Sequence, residues 1–200
     1  KRTSDYEDYL KFWKAFGIAF KEGIYEDVSN REDVASLSLF ASTFSDDKLT
    51  SLDDYISRAQ SEQKSIYYIT GDDVPTLRNN PQLDAFKENN IEVLLLTDPI
   101  DEFWTQTLTN YKTFAIKHIS KADIDLNIKR NEIKAQDGDL FKLTNLMSQM
   151  FEKEVSKVVV TDKLTKSPAA LNVEDGQMSI HLERLMRNHQ QQTSFASNRI

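Results

Sequence analysis

Apolar residues return at three- and four-residue steps through Tyr6, Tyr9, Leu10, Trp13, Phe16 and Phe20. This spacing predicts an amphipathic helix over residues 5–20 with one apolar face. Gly23 is expected in the turn that follows. A second helix is predicted from about Arg31 to Phe40, with Val34, Ala35, Leu37 and Ala41 near one side. A third begins at Ser51. Ser51 and Asp54 have the spacing of a capping box, which satisfies the free amide groups of a helix start. Leu52, Tyr55, Ile56 and Ala59 form its inward stripe.

The period changes at Ser65. Ile66 to Ile69 is a β-branched and aromatic run of strand length, ended by Gly71-Asp72. Helical signals return through Leu77, Pro81, Leu83 and Phe86, and Pro81 suits a first turn, where a missing N–H costs nothing. Ile91 to Leu96 is apolar on both faces, as a strand inside a covered parallel sheet should be. Asp98 reads as an N-cap and Pro99 as the first helical residue, followed by an apolar side of Ile100, Phe103, Trp104, Thr107 and Leu108. Thr113 to Ile119 alternates and predicts a third strand, completing a βαβαβ order.

Residues 121–137 are charged and poor in apolar groups, a linker or an exposed helix. Leu140, Leu143, Leu146, Met147, Met150 and Phe151 restore helical spacing. Val155 to Thr161 reads as a strand, Ser167-Pro168 as a turn, Ala169 to Val173 as a segment pairing back, and a last helix starts near Gln177. The fold class expected is α/β. A helical connector occupies 1–62, and a small α/β/α sandwich with a short, mainly parallel sheet occupies 63–122. A linker helix and a small α+β segment fill 123–200.

Composition narrows the function. The 200 residues carry a net charge of −7, which argues against non-specific nucleic-acid binding, since that needs a basic footprint to displace counterions. Cysteine is absent, so disulfides, thiolate metal sites and thiol nucleophiles are excluded. That fits a reducing, cytoplasmic location. No apolar run reaches the roughly 18 residues needed to span a bilayer. The chain opens on Lys1 rather than Met, which reads as a fragment of a longer protein.

The sharpest enzymatic candidate is Thr97-Asp98-Pro99-Ile100-Asp101. An aspartate at the carboxyl end of a parallel strand stands where open α/β sheets bind ligands. Asp98 and Asp101 would then serve a magnesium-dependent phosphotransferase. The spacing of three, and Pro99 beside Asp98, make helix capping the stronger reading. The pairs Asp46-Asp47, Asp53-Asp54 and Asp72-Asp73 lack calcium-loop spacing and read as solvated turns and helix starts. His118, His181 and His189 show neither metal spacing nor a triad context and default to the surface.

Two apolar features stand out. Phe103 and Trp104 are adjacent, so they project about 100° apart on a helix, and core-edge packing is the default for both. Met178, Leu182, Leu185 and Met186 form one face of a short helix. Core packing competes there with a promiscuous binding surface, which flexible methionine suits.

Longer runs of sequence carry a family resemblance. They are Lys11 to Gly17, Lys21 to Asp27, Ser51 to Arg58, Gln63 to Gly71 and Glu92 to Glu102, followed by Val158-Val159-Val160 through Leu164 and Ser167 to Ala170. In that order the chain resembles the heat-shock protein 90 chaperones of the bacterial HtpG type. The resemblance implies the helical connector and final α/β/α unit of a middle domain, then the start of a C-terminal domain. ATP and magnesium would belong to an N-terminal domain outside this chain, and the arginine that reaches the γ-phosphate would lie upstream. This stretch would then hold no catalytic residue, cofactor or metal. The helices of the full-length homodimer would lie beyond Ile200, leaving the fragment monomeric. Partners would be partly folded client proteins and the N-terminal ATPase domain of the same chain, with no nucleic acid and no membrane span. Client contacts would fall on Phe103 and Trp104, and on Met178, Leu182, Leu185 and Met186. A purely structural connector, with every apolar face buried, remains open beside these readings.

Overall fold

The first helix, α1, runs from Tyr6 to Glu26, longer than the predicted 5–20. The structure is a computed structural model and describes residues 5–119 and 138–160, with residues 164, 168, 169, 171 and 182. Asp5 caps α1, its carboxylate accepting from the Asp8 N–H. Gly23 lies inside the helix rather than in a turn, and a Cβ there would stand 3.5 Å from Val34 Cγ1. The buried positions are Trp13, Gly17, Lys21 and Ile24. Phe12 and Phe16 lie on the flank and stay exposed.

Helix α2 (Arg31–Leu37) stops short of the predicted Phe40 because Ser38 turns extended. The chain then enters strands β1 (Phe40–Ser42) and β2 (Ser45–Thr50), an antiparallel pair that the pattern did not announce. Helix α3 (Leu52–Arg58) starts as predicted. Ser51 Oγ accepts from the Asp54 N–H at 3.1 Å and donates to Asp54 Oδ2 at 2.6 Å. Strand β3 (Ser65–Thr70), helix α4 (Val74–Arg78), a 3-10 turn (Pro81–Leu83) and helix α5 (Asp84–Glu88) lead to strand β4 (Val93–Leu96). Helix α6 (Asp101–Thr107) and strands β5 (Asn110–Tyr111) and β6 (Phe114–His118) complete this part.

The six strands form one sheet in the order β2-β1-β4-β3-β6-β5. Strand β3 runs parallel to β4, with Tyr67 opposite Val93, and parallel to β6, with Ser65 opposite Ala115. The outer pairs are antiparallel. The α/β class therefore stands, but the sheet is mixed rather than mainly parallel, because tight hairpins supply its edges. Strands β1 and β2, within the stretch assigned to a helical connector, belong to the same sheet as β3.

Alternation along the strands splits the core. Tyr67, Ile69, Val93 and Leu95 pack on Leu77, Leu83 and Phe86 from α4, the 3-10 turn and α5. Ile66, Tyr68, Leu94 and Leu96 face Ile24, Leu52, Tyr55 and Trp104. The chain thus leaves the neighbouring strands β3 and β4 toward opposite faces of the sheet. This is the topological switch of open α/β sheets, and it puts the loop carrying Asp98 against α1.

Helix α7 (Gly138–Met150) forms where the spacing predicted it, with no buried residue. Residues 155–160 carry no regular secondary structure, against the predicted strand from Val155, and Val159 and Val160 are exposed without a ladder partner among the described residues. The predictions for 121–137, the segment from Ala169 to Val173 and the helix near Gln177 fall largely or wholly outside the described residues.

Candidate functional site

The loop between β4 and α6 is held by a lysine that enters from α1. Lys21 Nζ lies 2.8 Å from Asp98 Oδ2, and 2.9 Å and 3.1 Å from Asp101 Oδ1 and Oδ2. The lysine stem runs along the buried stripe of α1 and its ammonium sits 5.1 Å over the Phe40 ring. Asp101 is closed off from solvent. Its Oδ1 also accepts from Trp104 Nε1 at 2.7 Å, and its Oδ2 from the Asp98 N–H at 3.0 Å. Both oxygens of this carboxylate are thereby engaged, as a buried charge requires.

Asp98 therefore does not cap α6, contrary to the sequence expectation. Its carboxylate turns to Lys21, and the residue before the helix is Ile100, with no side-chain cap. The loop is closed by the Asp101 N–H donating to the Asp98 carbonyl at 2.9 Å. The same geometry removes the ground for a magnesium site, because an ammonium already occupies the space between the two carboxylates. Among the described residues no cluster of three metal-ligating side chains occurs.

Phe103 and Trp104 separate completely. Trp104 is 0% exposed and packs against Phe40 with ring centroids 5.6 Å apart. It is a core residue, which corrects both its expected place at the core edge and its expected client contact. Phe103 is 44% exposed. It meets Tyr25 of α1 edge to face, with centroids 6.0 Å apart, and Tyr25 is 43% exposed. Leu182 is 7% exposed, so in this structure it does not offer the surface expected of it. Met178, Leu185 and Met186 lie outside the described residues.

Asp53-Asp54 and Asp72-Asp73 stand at helix starts as expected, whereas Asp46-Asp47 lies within strand β2 rather than in a turn. Asp73 caps α4 through the Thr76 N–H at 2.8 Å, and this bond holds its carboxyl below the usual range. Asp53 accepts from Tyr111 and Lys112, each at 2.7 Å. Asp46 pairs with Arg78. His118, expected at the surface, is buried against Tyr68, ring centroids 5.1 Å apart. Burial pushes the Tyr68 hydroxyl up from its ordinary value.

Sequence reasoning missed Lys21 and Tyr25. Lys21 did leave a signal, a lone cation four residues after Gly17 and three before Ile24 on the inward stripe. Tyr25 left none, because its partner Phe103 is remote in sequence.

The fold and this site define a mixed α/β protein that displays an aromatic pair above a buried ionic anchor. The chain belongs to the Hsp90 family, whose model, described as Hsp90 protein, matches residues 1–199. It is 40% identical over 214 residues to the chaperone protein HtpG of Ehrlichia ruminantium (strain Welgevonden), covering 100% of this chain and 33% of that protein. It is 38% identical over 205 residues to the HtpG of Wolbachia pipientis wMel, covering 96% and 32%. The chain thus spans about a third of the length of the curated relatives it matches. Among solved structures, the middle domain of a putative heat shock protein of Plasmodium falciparum aligns with a TM-score of 0.56 at 42% identity, covering 58% of this chain and 49% of that one.

Proposed function

We propose that this chain is the client-binding part of an ATP-dependent molecular chaperone, gripping partly folded proteins through exposed apolar side chains. The observation that carries the reading is the exposed Phe103–Tyr25 pair, fixed on α6 and α1 by the buried Lys21–Asp101–Trp104 anchor. Such a patch attracts the apolar surface of non-native chains at about 25 cal/mol per Å² buried, before the costs of association. Few anchors suit weak binding of many partners. Family membership and relatives named chaperone protein HtpG support the same reading.

In this reading ATP and magnesium are held by an N-terminal domain outside the chain, the full-length protein is a cytoplasmic homodimer, and its nucleotide cycle changes the geometry around Phe103. Among the described residues no helix is long and apolar enough to cross a membrane. The phosphotransferase alternative loses its basis at Lys21.

The test is binding of a fluorescently labelled, permanently unfolded protein, followed by anisotropy. Phe103→Ala is expected to weaken binding about five- to tenfold while the melting temperature stays nearly constant. Unchanged affinity in a folded Phe103→Ala variant would overturn the assignment of the site.

A further inference from the structure

We propose that the client-binding face extends from Phe103 onto α1, as an acid-rimmed strip of Ile18, Tyr25 and Phe103 that takes extended, cationic apolar segments of non-native polypeptide. The proposal rests on the chaperone reading and adds the shape and chemistry of the partner.

Ile18 and Tyr25 stand seven residues apart on α1, so they share one side of the helix about 10 Å from each other. Neither belongs to the buried stripe of Trp13, Gly17, Lys21 and Ile24, and Ile18 is 54% exposed. This side is the one that adjoins α6, since Tyr25 touches Phe103 and Arg31 Nη1 donates to the Thr107 carbonyl at the end of α6. The strip is therefore continuous with the exposed Phe103 ring. A span of about 10 Å is covered by about three residues of extended chain at about 3.3 Å each, so a short unfolded segment reaches from one end of it to the other.

Charge selects the segment. Glu22 lies four residues after Ile18 and three before Tyr25, and Glu26 follows Tyr25. Both are exposed, and among the described residues no cation pairs with either. Of the cations closest to them in sequence, neither forms an ion pair with Glu22 or Glu26. Lys21 points its ammonium inward to Asp98 and Asp101. Arg31 donates to the carbonyls of Ile24, Tyr25 and Thr107. Lys14, one turn before Ile18, marks the far end. Two carboxylates without an ion-pair partner among the described residues, beside an apolar strip, favour lysine- or arginine-bearing chains and repel acidic ones.

Three labelled, unstructured peptides test the idea, with the same apolar residues but lysine, serine or glutamate between them, titrated against the chain by anisotropy. The lysine peptide is expected to bind about tenfold more tightly than the glutamate peptide. Raising salt from about 50 mM to about 500 mM should shrink that gap, since exposed charges are screened. Ile18→Ala and Tyr25→Ala should each weaken the lysine peptide about three- to tenfold. Glu22→Gln with Glu26→Gln should erase the ranking and leave the serine peptide unchanged. If Phe103→Ala weakens all three peptides but they bind equally and the α1 variants match wild type, the strip is overturned and the chaperone reading survives. If no peptide binds, or Phe103→Ala changes nothing, that reading fails and the strip with it.

Discussion

Lys21 and Asp101 form an ion pair inside the protein, the ammonium 2.9 Å from Oδ1 and both side chains shut away from water. A buried pair is weak evidence of net stabilisation while intact, yet breaking it leaves a charge with no partner. Lys21→Met is expected to destabilise the fold by about 3–5 kcal/mol. Lys21→Met combined with Asp101→Asn should lose less than the sum of the single changes. Urea unfolding of the three variants gives the coupling, and simple additivity would show that the two groups do not interact.

The adjacent rings should respond in opposite ways. Trp104→Ala empties a space in the core and removes a donor from Asp101, for a loss of about 3–5 kcal/mol. Phe103→Ala removes a half-exposed ring and should stay within about 1 kcal/mol. Melting curves of the two variants decide it, and a large loss at Phe103 would make that ring structural.

Two glycines of α1 predict a contrast. A Cβ at Gly17 would lie 2.9 Å from Trp13 Cε2, whereas one at Gly23 would meet Val34 Cγ1 at an ordinary 3.5 Å. Gly23→Ala is expected to stabilise the helix by up to about 1 kcal/mol. Gly17→Ala should destabilise by about 1 kcal/mol or more, because a ring packed in the core must move. Thermal melts that rank the two variants the other way would contradict the packing of Trp13.

Burial raises the hydroxyls of Tyr55 and Tyr68 above the ordinary tyrosine value. The Tyr55 hydroxyl also donates to the Glu92 carbonyl at 2.6 Å and accepts from the Tyr67 N–H at 3.1 Å. A group whose folded value is raised contributes stability that is complete below its unfolded value and is lost as pH rises. The stability these two tyrosines contribute is therefore expected to hold up to about pH 10 and to fall above it. Tyr68→Phe should flatten part of that fall. Tyrosinate absorbance of both residues appearing near pH 10 without unfolding would contradict their burial.

Much of this architecture was legible in the chain. β3 and β4 announced themselves because strands covered on both faces are apolar at every position, and Ser51 with Asp54 marked a helix start through a local bond. Other features escaped for physical reasons. α1 was found, but its inward stripe includes Gly17 and Lys21, which apolar counting excludes, while the more hydrophobic Phe12 and Phe16 stay outside. β2 reads Ser-Asp-Asp-Lys-Leu-Thr and has no apolar period to detect. Asp98 was misread because its partner Lys21 stands 77 residues away. The candidate site was half visible. Phe103 and Trp104 were singled out, but which ring lies inside depends on the Asp101 acceptor and the Phe40 wall.

The outer strands carry one more consequence. At one border of the sheet, Asp46, Asp47 and Lys48 of β2 face solvent. At the other, β5 is only two residues long. Charge at the first border and shortness at the second deny a stray chain the row of bare amides it needs to add itself as another strand. Under the proposed chaperone reading, sticky, half-made neighbours held by their side chains would be released without having been seeded to aggregate.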